Sequence, residues 1–169
     1  MRATLEPGLP ATGPLPVHMH TGIPTSWSEG CVFRFEADNG SSWIGNLQPG
    51  YGYSTKIVPW ECAKALIVIV HGATYLVHPA VPEAWTFIDE CGIDCTFSPA
   101  RDVAVLSTYH DVVAIAVDGA ELWRRRNIAV DGVLIEQIVD GVIRGKVGID
   151  PPDKWYPFAI RLADGEDTA

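Results

Sequence analysis

The chain has 169 residues, 47% apolar and 20% charged, a balance that suits one globular domain and argues against a disordered polymer. Its formal net charge of −9 sets aside nucleic acid and anionic membranes as partners, because both demand concentrated positive charge. No run approaches the roughly 18–20 continuous apolar residues of a membrane-spanning helix, and the first twenty residues, broken by prolines, lack the apolar centre of a signal peptide. A cytoplasmic location is therefore the expectation.

Residues 1–26 hold five prolines and three glycines. Proline removes a backbone donor and fixes φ, so this arm is expected to be extended and irregular. Within it, "HMHTG" places His18 and His20 two residues apart. Two ligands are too few for a metal site, and a structural role is the simpler reading.

From residue 27 onward the signal is β. "CVFRFEA" (31–37) alternates, with Val32, Arg34 and Glu36 on one face and Cys31, Phe33 and Phe35 on the other. "SSWIGNLQPGYGYST" (41–55) follows, rich in glycine and aromatics. "WIGNL" reads as a short strand and "QPGY" as a type II-like turn, since Pro suits i+1 and Gly suits i+2. The glycine spacing is not that of a phosphate cradle, and no helix follows.

"LIVIV" (66–70) is apolar on both faces and β-branched, as a central strand would be. "VAVLS" (103–107) and "VVAIAV" (112–117) read the same way. "GVLIEQIVDG" and "VIRGKVGI" are two runs joined at Asp140-Gly141. "WYPFAIRL" (155–162) puts Tyr156, Phe158, Ile160 and Leu162 on one apolar face, and Pro157 fits an edge strand. Asn-Gly or Asp-Gly pairs at Asn39, Asp118, Asp131, Asp140 and Asp164 are hairpin signals of the type I′ kind.

Two segments look alike, 65–94 and 103–132. Each has an apolar strand, then His71 or His110, a second apolar strand, a turn, and a Trp (Trp85 or Trp123). The histidines are 39 residues apart and the tryptophans 38. This period resembles the blades of β-propellers. The segments "WIGNLQ" and "ELWRRR…DGV…DGVIRG" also resemble small bacterial all-β proteins of unassigned function that carry W-x-G-N-x-Q, a likeness that implies no activity. The expected fold is all-β, built of antiparallel meanders, propeller-like, barrel-like or a sandwich. It is expected as one domain over 27–169 behind the N-terminal arm. An uncovered sheet edge needs covering, so a homo-oligomer is one expectation.

The candidate binding residues are Trp43, Asn46, Gln48, Tyr51, Tyr53 and Trp60, with Trp27 nearby. Tyr and Trp offer large rigid contact area, here for a protein or small-molecule ligand. The competing reading makes these aromatics a lid on the core. Trp85, Trp123 and Trp155 read as core. The alternative is a metal-dependent or hydrolytic enzyme using His71, His78, His110 and Asp111. His71 and His110 occupy matching repeat positions, which favours a repeated structural device. No nucleophile elbow, P-loop or dinucleotide fingerprint is present. Carboxylates at Asp89, Glu90, Asp94 and Glu121 read as turn residues, and Arg124 to Arg126 as partners for nearby acids. Cys31, Cys62, Cys91 and Cys95 offer only one closely spaced pair, short of a zinc framework, so they read as buried thiols. No cofactor is expected, and a non-enzymatic binding module, able to self-associate, is favoured over an enzyme and over a structural subunit of a larger assembly.

Overall fold

The structure, a computed structural model, describes residues 1–21, 29–149 and 154–168. Fifteen strands and no helix occur among them. The chain divides into two compact units, Met1–Cys91 and Gly92–Ala169.

In the first unit, β1 (Arg2–Leu5), β2 (Val17–Met19), β3 (Cys31–Glu36) and β4 (Ser42–Leu47) form a sheet in the order β1-β3-β4-β2. All pairings are antiparallel except β2 with β4, which is parallel. The proline-rich arm is therefore not irregular throughout. Its proline-free stretches, "RATL" and "VHM", supply both edge strands. Ion pairs from Arg2 to Glu36 and from Arg34 to Glu6 (2.7 Å) fasten the arm to β3. The Arg2 hydrogen bond holds the Glu36 carboxyl below its ordinary range.

A second sheet follows with β5 (Thr55–Trp60), β6 (Ala65–Val70), β7 (Ala73–Val77) and β8 (Trp85–Asp89), a plain antiparallel meander. All six residues of β6 are buried, as the two-faced apolar run predicts. Period-two alternation sends Phe33, Phe35, Leu47 and Met19 of the first sheet toward Leu66, Val68, Val70, Tyr75 and Val77 of the second. Each such side chain contributes roughly 1.5–3 kcal/mol on burial. The Tyr75 hydroxyl donates to the Gln48 carbonyl at 2.7 Å, which satisfies the one polar atom this large side chain brings inside.

The second unit repeats the two-layer plan. β9 (Gly92–Phe97), β10 (Val103–Thr108), β11 (Val112–Ala116) and β12 (Glu121–Arg125) make one antiparallel sheet. β13 (Val133–Val139), β14 (Val142–Ile149) and β15 (Lys154–Arg161) make another. Val105, Val112, Val133, Ile143, Val147 and Ile160 form the core between them. Trp123 packs against that core and its Nε1 donates to the Leu162 carbonyl at 2.8 Å.

Turn chemistry divides the Asx-Gly signals. Only Asp140-Gly141 has both residues left-handed (φ 52° and 72°), the type I′ signature. At Asn39-Gly40 only the glycine is left-handed (φ 83°), within a three-residue loop closed from Ala37 N–H to the Ser41 carbonyl. Pro157 sits on β15, an edge strand. Its neighbours of the same parity, Ala159 and Arg161, bond outward to Thr168 and Glu166. The missing donor of Pro157 therefore faces the open side, where no ladder bond is lost.

Three expectations are corrected. Trp155 is not core: it is 48% exposed at the outer end of β15, and Tyr156 beside it, expected on the apolar face with Ile160, is 46% exposed. Among the described residues no sheet closes into a barrel, since each has two distinct edge strands.

Gly165 combines a left-handed φ of 73° with a position against the Trp123 ring, where a Cβ would lie 2.6 Å from Cε3. Gly165→Ala is expected to cost about 2–4 kcal/mol, read as a lowered urea midpoint with an unchanged slope. A midpoint within error of the parent chain would contradict this packing.

Candidate functional site

The loop Gln48–Ser54 joins β4 to β5 and is tied by its backbone rather than by its side chains. Gly50 N–H donates to the Val70 carbonyl (3.1 Å) and Gly52 N–H to the His71 carbonyl (2.6 Å). Tyr51 N–H reaches the Glu90 carbonyl at 3.4 Å, and Gly72 N–H returns a bond to the Ser54 carbonyl at 3.1 Å. The loop thus lies directly on the β6–β7 turn. That turn is His71-Gly72, with φ of 46° and 92°, a type I′ pair. It lacks the Asn-Gly or Asp-Gly pair that marks such turns in a sequence, yet His also tolerates this region better than most residues.

Such close approach requires glycine. A Cβ at Gly50 would overlap the Glu90 carbonyl and the Ala73 nitrogen, and one at Gly72 would lie 2.8 Å from the Glu90 carbonyl. The expected type II turn at "QPGY" is not formed, because Gly50 lacks the positive φ that turn needs. Gly50 is required for space and not for backbone handedness.

With the loop's inner side occupied by backbone, its two large side chains point outward. Tyr51 is 86% exposed and Tyr53 is 91% exposed. The other four candidates are committed elsewhere. Trp43 stacks on Phe35 at 4.5 Å and donates from Nε1 to the Pro79 carbonyl. Asn46 is fully buried, and its Oδ1 accepts from Gly30 N–H at 2.8 Å. Its Nδ2 lies 3.3 Å from His18 Nδ1. The Gln48 Oε1 accepts from Thr21 N–H at 3.1 Å. Trp60 is fully buried. Trp27 lies outside the described residues. The surface that can meet a ligand therefore narrows to the tyrosine pair, with exposed His71 on the supporting turn.

The alternative metal set is not assembled. His71 and His78 flank opposite ends of β7, roughly 20 Å apart along an extended strand, too far for one ion. In the second unit, His110 uses its carbonyl to accept from Ile128 and Ala129 N–H. Asp111 accepts from Asn127 N–H at 2.9 Å and from Arg124 at 3.2 Å, which makes it a loop anchor. Among the described residues no group of three or more His, Cys, Asp or Glu side chains is placed to hold a metal. The arginine run finds acids: Arg124 pairs with Asp111 and Glu121, and Arg125 with Asp167 and Glu166.

A cavity of about 630 Å3 opens at the far end of the second sheet, near Asp38, Pro59, Glu61, Lys64 and Pro79. Strand length alone puts it some 20 Å from the tyrosines. Among the described residues no helix is long and apolar enough to cross a membrane. No protein-family model, curated protein or solved structure matches this chain.

The cysteines are all free, and they differ in setting. Cys62 is exposed and the other three are half-buried. Burial, with the Asp94 carboxylate adding to it, pushes the Cys95 thiol up to about 12. A folded value above the unfolded one means the proton is held more tightly in the folded chain. The linked stability is then full below about pH 9 and is lost as pH rises toward 12. Alkylation of the folded chain at pH 8 is expected to modify Cys62 first and Cys95 only on unfolding, as read by mass spectrometry of peptides. Early modification of Cys95 would contradict its setting.

The loop itself makes a paired prediction. Gly50→Ala is expected to destabilise by at least about 2 kcal/mol, whereas Tyr51→Ala with Tyr53→Ala stays within about 0.5 kcal/mol of the parent. Thermal or urea unfolding of the two variants checks both halves.

Proposed function

We propose that the protein is a non-enzymatic binding module whose contact surface is the tyrosine pair Tyr51 and Tyr53. The observation that carries this reading is the combination of near-complete exposure with a backbone-laced loop beneath. Exposed tyrosines are ordinary on mobile loops. Here the loop's own conformational entropy is already spent in folding, so a partner meets two large amphipathic rings at low ordering cost.

The chemistry of the partner follows from the loop. Residues 44–55 contain no charged side chain. Recognition would rest on ring faces and hydroxyls, suited to a neutral peptide, a protein surface or a small neutral ligand. The chain's charge of −9 disfavours nucleic acid and anionic lipid. In this reading the segments 65–94 and 103–132 are repeats akin to the blades of β-propellers, the molecule works in the cytoplasm, and no cofactor takes part.

The test is a comparison of the parent chain with the double variant Tyr51→Ala, Tyr53→Ala on a panel of proline-rich peptides and neutral glycans. The parent is expected to capture members of one class, and the variant to lose about 30-fold in affinity, the scale of an aromatic hot spot. Its melting temperature should be unchanged. Equal capture by both chains, or capture by neither, overturns the reading.

A further inference from the structure

Among the described residues, three large apolar side chains stand apart in exposure. Tyr51 and Tyr53, at 86% and 91%, are joined by Leu15 at 92%, and the next most exposed reaches 55%. Leu15 lies in the arm between β1 and β2, inside Pro14-Leu15-Pro16. Both prolines fix their own φ, and Pro16 restricts Leu15 to extended geometry. The tripeptide is thus held near polyproline II by covalent chemistry. Gly13 before it has a φ of 118° and nothing within 4 Å of a would-be Cβ, so the arm stands clear of the sheet there. Proline-rich segments in this preformed conformation dock on aromatic side chains at low entropic cost.

We infer that Tyr51 and Tyr53 receive Pro14-Leu15-Pro16 of a second copy of this chain, in a reciprocal two-fold exchange. This rests on the binding role proposed above for the tyrosine loop. The register of the first sheet decides against docking within one chain. In the parallel β2–β4 pair Val17 is level with Gly45 and Met19 with Leu47. Leu15 precedes this paired segment and Tyr51 follows it, so the two lie off its opposite ends. Leu15 is two residues from the start of β2, and that pairing holds it at its own end of the sheet. Two complementary patches separated along one sheet pair naturally with a second copy turned end for end, and the closed exchange uses each patch once.

Charge points the same way. Two chains of −9 repel one another wherever their acidic surfaces meet. Residues 7–17 and 44–55 carry no charged side chain, so this contact brings together neutral segments.

Sedimentation of the full chain over a concentration series tests the inference. The parent is expected to show a reversible monomer–dimer equilibrium. Leu15→Ser alone, and Tyr51→Ala with Tyr53→Ala, should each weaken dimerisation by about 30-fold or more, with melting temperatures near that of the parent. Mixing the two variants should restore association through the one contact they can still form. A parent that stays monomeric, or a dimer that survives either set of substitutions, overturns the inference. A monomeric parent that still captures foreign proline-rich peptides through its tyrosines would sink only the self-exchange and leave the binding role standing.

Discussion

The close passage of one backbone over another, at Gly50 and Gly72, is the constraint on which the candidate surface depends. Four main-chain hydrogen bonds link the β4–β5 loop to the β6–β7 turn and to Glu90. They form only because neither crossing point carries a Cβ. The bonds replace those that exposed loop backbone would make to water, so the loop is satisfied internally. The same crossing leaves Tyr51 and Tyr53 no inward direction. Packing and display are therefore one decision made by two glycines.

Polar residues inside the fold follow the same logic of satisfaction. Asn46 is buried in β4, and its Oδ1 accepts from Gly30 N–H. Asp111 holds the backbone of Asn127 and the guanidinium of Arg124. Among the described residues no fully buried side-chain nitrogen or oxygen lacks a partner. Residue types that look chemical in isolation are thus spent on structure. Asn46 and Asp111 are such structural groups, while Tyr51 and Tyr53 present their rings to solvent.

Much of the fold was legible in the chain. "CVFRFEA", "LIVIV" and "VVAIAV" form strands where their periodicities placed them, because alternation and β-branching report directly on a pleated, half- or fully buried surface. Pro157 marked an edge strand for the same local reason. The N-terminal arm is less legible, since prolines dominate its composition while the short proline-free stretches between them do the pairing. His71-Gly72 forms a left-handed turn without an Asx residue, so its composition does not announce it.

By itself, the sequence determined the all-β class, most strand positions, the left-handed turn at Asp140-Gly141 and the neutrality of the loop around the tyrosines. Those properties are set by side-chain periodicity, covalent limits on φ and composition, all of which are local. Only the tertiary structure decided which of the candidate aromatics face solvent. Trp43 and Trp60 are no less aromatic than Tyr51 and Tyr53. What separates them is whether another sheet or a crossing backbone occupies the space beside each ring, and that is fixed by residues distant in the chain: Phe35, Pro79, Val70, His71 and Glu90.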